Sequence, residues 1–183
     1  MSVNIQLEWT PNPSTIKYVV DQPLLPSGAA NFTSREAAQG RSPLAEKLMQ
    51  IEGVTNVMIG TNFVTITKGE AGDWDSLNDS VMSALDQHLS AGKPVVTGDY
   101  RQAAKDGETD IERRIRQILE DEIRPAVMND GGDITLDHFE DGIVYLNMRG
   151  SCSGCPSSVL TLKMGIENRL REEIPEVNEV VPV

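Results

Sequence analysis

The amino-acid sequence predicts an α+β protein with two small α/β-sandwich-type domains joined by a flexible linker. Both halves of the chain mix short strand-like runs with longer runs whose apolar residues recur every three or four positions, as in amphipathic helices. Between the halves, residues 97–108 have two glycines, mixed charges and almost no large apolar side chain, which is typical of a linker. We therefore expect domains at residues 1–96 and 109–183.

The first half predicts the element order ββαββα. Alternating apolar or β-branched residues indicate strands at residues 3–9, 15–20, 54–59 and 63–67. Ser42 and Pro43 are the preferred cap and first residue of a helix, which Gly53 closes. Asp73 caps a last helix that Gly92 ends. This half shows no catalytic constellation.

The second half predicts the order αββαβ in about 75 residues, which is a small but feasible core. Thr109 and Glu112 form a capping box, and Pro125 is expected to disturb the first helix near its end. Asp141 and Gly142 predict a hairpin turn. The remaining elements are strands at residues 134–139, 143–148 and 177–181, and a helix from 156 to 174.

Composition excludes several classes of protein. Two cysteines in 183 residues are too few for a disulfide-stapled secreted scaffold. A net charge of −12 repels nucleic acid and anionic membranes, and 4% aromatic residues leave little to stack on bases. No apolar run approaches the roughly 20 residues that span a bilayer. The first residues resemble neither a signal nor a transit peptide, so we expect a reducing, cytoplasmic location.

All the thiol chemistry of this chain passes through one motif. Cys152 and Cys155 lie three residues apart in Gly-Ser-Cys-Ser-Gly-Cys-Pro-Ser-Ser, residues 150–158. A predicted strand precedes the motif and Pro156 opens a helix after it. The positive end of a helix dipole favours a thiolate over a thiol. Cys152 and Cys155 are therefore the candidate metal ligands, but two ligands do not complete a four-coordinate site.

One interpretation is an iron–sulfur cluster shared between two chains. Such clusters take thiolate ligands, usually four, and a two-fold homodimer would supply four from two pairs. A cluster at a seam between subunits would also be released more readily than one buried within a chain, which suits a carrier. Four thiolates can hold either a [4Fe-4S] or a [2Fe-2S] cluster.

Three alternatives remain at this point. A thiol–disulfide oxidoreductase also uses such a pair, although only 28 residues follow Cys155, too few for a thioredoxin-type layout. Zinc could bind the cysteines with His88 and His138, but the spacing fits no finger or ribbon, whereas zinc bridging two chains through four thiolates stays open. The cysteines could also pack as small hydrophobes, although a Ser- and Gly-rich turn offers little to bury them.

Two further features surround the motif. No acidic residue occurs from Gly142 to Ile166, although Arg149 and Lys163 do, and this local charge would favour thiolates and an anionic cluster. A strand and a helix face that merely exclude acids explain the stretch equally well. Gly131 and Gly132 are either a plain loop or a turn that packs near the cysteines and helps to exclude water from the cluster.

The second half resembles the C-terminal domain of NifU, the module of Nfu-type iron–sulfur cluster scaffold and carrier proteins. The resemblance rests on the cysteine motif together with Arg-Pro-Ala-Val at 124–127, Asp-Gly-Gly-Asp at 130–133, Gly-Ile-Val-Tyr-Leu at 142–146 and Thr-Leu-Lys-Met-Gly-Ile-Glu at 161–167. The first half is similar to the N-terminal domain of Nfu proteins, through Thr-Pro-Asn-Pro at 10–13, Ser-Pro-Leu-Ala at 42–45, Ile-Glu-Gly-Val at 51–54 and Asp-Trp at 73–74.

The resemblance implies a scaffold and not an enzyme. It implies a [4Fe-4S] cluster held by Cys152 and Cys155, bridged across a homodimer and handed to apo-proteins. We expect apo iron–sulfur clients and upstream cluster donors as partners, docked by the first domain, and neither nucleic acid nor membrane.

Overall fold

The computed structural model describes residues 2–100 and 106–183, which fall into two compact units on either side of that gap. Within the described residues, no helix combines the length and the apolar composition of a membrane-crossing segment. Part of the predicted linker contacts the first unit, where the Thr97 backbone N–H donates to the Arg41 carbonyl (2.7 Å) and the Tyr100 hydroxyl donates to the Ser27 carbonyl (2.9 Å). Predicted linker residues 101–105 lie outside the described residues.

The first unit contains a five-stranded antiparallel sheet with the strand order β1-β2-β5-β4-β3. Its elements are β1 (Ile5–Trp9), β2 (Thr15–Val20), β3 (Ala30–Phe32), α1 (Arg35–Ala38), α2 (Pro43–Leu48), β4 (Val54–Ile59), β5 (Phe63–Lys68) and α3 (Trp74–Ser90). The apolar faces of the sheet and of α2 and α3 share one buried core, in which Ile16 and Ile66 pack with Leu44 and Leu85.

The predicted strands and helices of this unit are present, and the α+β class is confirmed, but the predicted order omits β3 and α1. Both elements are too short to show a periodicity, since β3 has three residues and α1 has four. β3 exists because it pairs with the edge of β4. The Ser34 hydroxyl, which accepts a hydrogen bond from the Ala37 N–H, was the one local sign of α1.

The second unit contains a three-stranded sheet with the order β6-β7-β8, in which β7 pairs antiparallel with β6 and parallel with β8. Its elements are α4 (Asp110–Ile118), a π-helical turn (Leu119–Ile123), α5 (Arg124–Asn129), β6 (Gly132–Glu140), β7 (Ile143–Gly150), α6 (Pro156–Glu173) and β8 (Glu179–Pro182). Ile115 and Leu119 pack with Leu146 of the sheet and with Ile166 and Leu170 of α6.

Local chemistry explains the ends of these elements. Thr109 and Glu112 form the predicted capping box at α4. Asp141 and Gly142 have φ of 49° and 80°, the left-handed pair that a two-residue hairpin requires. Pro125 lies in the first turn of α5, directly after the π-helical turn, because a proline lacks the N–H that an uninterrupted α-helix would use.

His88 is buried in the first unit, with 3% of its surface exposed. Its Nε2–H donates to the Pro94 carbonyl (2.9 Å), which attaches the chain after α3 to that helix. Burial lowers the pKa of His88 below its ordinary value, with Lys47 and Lys93 contributing in the same direction and the bond to Pro94 opposing it. His88 therefore has a structural role in the neutral form.

We predict that the first unit loses stability as the pH falls below about 6.5, the pKa of an unfolded histidine. In that range the histidine of the unfolded chain binds a proton, whereas His88 of the folded chain stays neutral to a lower pH. Protonation therefore stabilises the unfolded state relative to the folded state. Both tryptophans, Trp9 and Trp74, lie in this unit, and their fluorescence in urea titrations reports its unfolding. His88→Gln should flatten the pH dependence between about 6.5 and 5.5, whereas His138→Gln, in the other unit, should leave it unchanged. A slope that survives His88→Gln contradicts the assignment.

Candidate metal centre

The cysteine loop connects the end of β7 at Gly150 to the start of α6 at Pro156. The structure therefore places both thiols on the strand-to-helix turn that the sequence predicts, and no disulfide joins them. Cys152 is buried, with 7% of its surface exposed, whereas Cys155 is half-buried and is the N-cap residue of α6. The loop turns sharply because Gly150 and Gly154 adopt φ of 63° and 80°.

Two hydrogen bonds attach this loop to the turn before β6. The Ser151 hydroxyl donates to the Asp130 carbonyl (2.6 Å), and the Ser151 N–H donates to the Gly131 carbonyl (3.2 Å). Ser151 is itself buried. Of the two interpretations of the glycine pair, the structure supports the one in which the turn packs against the cysteine loop.

Gly132 lies directly against the buried thiol. A Cβ atom built at this position would lie 2.3 Å from the Cys152 Sγ and 3.2 Å from the Arg149 carbonyl oxygen. No side chain fits there unless the sulfur moves, so glycine is required by close approach. The position of Cys152 is therefore set by β6 as well as by its own loop.

The acid-free stretch of sequence does not make an acid-free site. The fold brings Asp130, in the turn before β6, and Asp133, in β6 itself, close enough to raise the pKa of Cys152. Asp133 is fully buried, and Arg124 offsets its charge with two hydrogen bonds, from Nε to Oδ1 (2.6 Å) and from Nη2 to Oδ2 (3.1 Å). The spacing of Arg124 and Asp133 along the sequence did not predict that these two side chains pair.

The expectation that the helix N-terminus favours a thiolate is wrong for Cys152. Burial, with smaller contributions from Asp130 and Asp133, raises the pKa of its thiol to about 11, although the hydrogen bond with Ser151 lowers it. Desolvation outweighs the helix dipole because the sulfur lies inside the unit and not at its surface. A metal ion would have to displace this proton on binding.

Cys155 faces a different environment. Its Sγ lies 3.5 Å from the Ser157 Oγ on the exposed side of the first turn of α6. The motif thus combines one enclosed sulfur with one at the surface. A second molecule could reach the pair from the Cys155 side.

Neither histidine lies with the cysteines. His138, on β6, stacks on the Tyr145 ring with 4.2 Å between centroids, and its Nδ1 lies 2.6 Å from the Asp137 Oδ2. His88 belongs to the other unit. Over residues 2–100 and 106–183, no three His, Cys, Asp or Glu side chains are grouped so that they could hold a metal ion.

Comparison with known proteins adds family evidence to this geometry. Residues 5–92 match the family model described as scaffold protein Nfu/NifU N terminal, and residues 115–181 match the NifU-like domain. The chain is 41% identical over 98% of its length to the human protein named NFU1 iron-sulfur cluster scaffold homolog, mitochondrial, and covers 71% of that protein. It is 44% identical over 96% of its length to NifU-like protein 4, mitochondrial, of Arabidopsis thaliana, and covers 64% of it.

A solution NMR structure of a NifU-like protein from Saccharomyces cerevisiae also matches, with 25% identity, a TM-score of 0.48, and coverage of 54% of this chain and 87% of that one. A protein of two α+β units with its thiols on one turn is a candidate metal-binding or redox protein. The two family models, and 41% identity to a relative of which the chain covers 71%, decide between these two classes: this chain belongs to the Nfu/NifU family.

The predicted cytoplasmic location is wrong. The similar proteins from human and Arabidopsis thaliana are named as mitochondrial. The prediction rested on reduced thiols and on the first residues of the sequence. Reduced thiols indicate a reducing compartment but do not tell one such compartment from another.

We predict that Gly132→Ala displaces the Cys152 sulfur and destabilises the second unit by about 1–3 kcal/mol, the usual cost of overpacking a core. Alkylation of Cys152 in the folded protein, followed by mass spectrometry, should then accelerate about fivefold or more. Gly165→Ala is the matched control, because a Cβ there meets nothing within 4 Å and lies in a helix. An unchanged alkylation rate in Gly132→Ala contradicts the close approach.

Proposed function

We propose that this chain is an iron–sulfur cluster scaffold and not an enzyme. In this proposal Cys152 and Cys155 of two copies hold one [4Fe-4S] cluster, which is then passed to apo-proteins. The observation that carries it is the placement of the chain's only two cysteines on one turn, one sulfur enclosed against Gly132 and the other at the surface. Membership of a family whose relatives are named iron–sulfur cluster scaffolds supports it.

The count of thiols requires a second copy. Cluster irons are usually held by four thiolates, and this chain has two cysteines. A two-fold axis beside the cysteine loop brings in an identical pair without any further ligand from the sequence. The N-terminus of α6 faces the same loop, and its partial positive charge favours an anionic cluster.

Release of the cluster follows from the unequal exposure of the two sulfurs. A client thiolate would first replace Cys155, the half-buried ligand, by forming one new iron–sulfur bond as the old one breaks. The departing sulfur leaves as a thiolate, so each step exchanges one thiolate for another and leaves the electron count unchanged. Cys152 is enclosed by Gly132 and would hold the cluster until the client has ligands in place.

Each part of the chain has its own role in this proposal. Residues 1–96 would dock apo iron–sulfur clients and upstream cluster donors, residues 97–108 would act as the linker, and residues 109–183 would carry the cluster. The acidic surface, with a net charge of −12, suits protein partners with basic patches and disfavours nucleic acid.

A thiol–disulfide oxidoreductase that uses the same pair is the alternative. Such an enzyme needs an attacking thiol that ionises near the ambient pH. Burial and two nearby carboxylates hold the pKa of Cys152 at about 11, which is poor chemistry for an attacking thiol. It argues against Cys152 as the attacking thiol but not against the half-buried Cys155, so what favours the scaffold over the oxidoreductase is membership of a family whose relatives are named iron–sulfur cluster scaffolds.

The test is anaerobic reconstitution followed by gel filtration, with iron, acid-labile sulfide and visible spectra measured on the eluted protein. We expect a brown dimer with about two irons and two sulfides per chain, as one four-iron cluster in two chains requires. Cys152→Ser and Cys155→Ser should each lose the cluster. His138→Gln is the control, because a zinc-type site that used this histidine would lose its metal.

Three results would contradict parts of the proposal. A full cluster on Cys152→Ser rules out the ligand assignment. About one iron and one sulfide per chain would indicate a bridged [2Fe-2S] cluster instead. A colourless protein that cycles between dithiol and disulfide would favour the oxidoreductase.

A further inference from the structure

We propose that the exposed face of α6 beside the cysteines is the surface on which a second copy of this chain docks to complete the cluster. This surface, called the α6 seam below, consists of Ser157, Leu160, Thr161 and Met164. The inference rests on the proposed function and adds to it the residues through which the two copies meet.

The seam exposes apolar side chains that the fold does not use. Leu160 and Met164 are each 58% exposed and lie one turn apart on the same side of α6. The opposite side of the helix is already buried, where Ile166 and Leu170 pack into the core of the second unit. Adjacent exposed apolar side chains on a strongly acidic protein indicate an interaction surface.

The seam begins at the candidate ligand itself. Ser157, whose Oγ lies 3.5 Å from the Cys155 Sγ, shares a helix face with Leu160 and Met164, because the three follow at i, i+3 and i+7. Leu160 is five residues beyond Cys155, or about 7.5 Å along the helix axis at 1.5 Å per residue. A chain that contacts Leu160 therefore comes within reach of Cys155.

The missing pair of thiolates calls for a second copy as the occupant, and the charge of the seam permits one. Two chains that each carry −12 repel one another over most of their surfaces, but the seam has no charged residue. The nearest charged side chains of α6 are neutralised elsewhere, since Lys163 pairs with Glu179 (3.1 Å) and Glu167 pairs with Arg171 (3.0 Å). An uncharged apolar face can meet its own copy across a two-fold axis without repulsion.

The size of the seam explains why the cluster must be present. Two large apolar side chains per copy bury far less than the roughly 1,200 Å² of a stable protein interface. The seam alone leaves the apoprotein monomeric. Four iron–sulfur bonds supply the binding free energy that the small contact lacks. The dimer therefore forms with the cluster and separates when the cluster leaves.

The test uses two double variants, Leu160→Glu with Met164→Glu and Leu160→Lys with Met164→Lys. Each should fold with an unchanged melting temperature, since these side chains are exposed, and each should lose cluster-bound dimer at least tenfold, because like charges face one another. An equal mixture of the two variants should recover cluster and dimer by pairing Glu with Lys. Val183→Glu is the matched control, since Val183 is 61% exposed in the same unit but lies outside α6.

The outcomes separate this inference from the proposed function. If the double variants hold cluster and dimerise like the parent chain, the copies meet elsewhere and the cluster assignment stands. If each variant fails and the mixture does not recover, a second copy is not the occupant. If the parent chain itself holds no cluster, both proposals fall. Equal loss in Val183→Glu would overturn the specificity of the seam.

Discussion

The second unit depends on a contact that leaves no space for a side chain, where β6 begins against the sulfur of Cys152. The contact is possible because residue 132 is a glycine. Hydrogen bonds from Ser151 to the carbonyls of Asp130 and Gly131 hold the cysteine loop against the turn before β6. The turn before β6 and the loop after β7 are therefore one structure. Cys152 is positioned by this contact and Cys155 by the start of α6, so the two sulfurs are fixed by different elements.

This contact has an electrostatic cost, which the surrounding residues offset. Bringing the start of β6 and the turn before it to the cysteines also brings Asp130 and Asp133, and Asp133 is completely buried. An unpaired buried carboxylate beside a thiolate would be strongly unfavourable. Arg124 pairs with the Asp133 carboxylate through two hydrogen bonds and so offsets its charge. Pro125 follows Arg124 in the first turn of α5. Pro125 and the π-helical turn before it determine where α5 begins, and therefore where Arg124 lies.

The sequence predicted the features that depend on neighbouring residues. The capping box at Thr109, the Asp141-Gly142 hairpin and the helix that opens at Pro156 all appear in the structure, because each is determined within a few residues. The placement of Cys152 and Cys155 on a strand-to-helix turn followed from the same local signals.

Features that depend on tertiary pairing could not be predicted in this way. β3 is stabilised by β4, which lies more than twenty residues later in the chain. The burial of Cys152 and its closeness to Asp133 arise from the way the cysteine loop folds against the turn before β6, which the hairpin signal alone does not specify. A stretch without acidic residues along the chain is therefore a poor guide to the charge around a buried sulfur.

Native mass spectrometry of the anaerobically reconstituted protein tests the central claim most directly, because it weighs the assembly with its cluster in place. The account predicts a species with the mass of two chains and one [4Fe-4S] cluster, and apoprotein at the mass of one chain. A single chain that carries a whole cluster would contradict it, as would two chains joined by metal without sulfide.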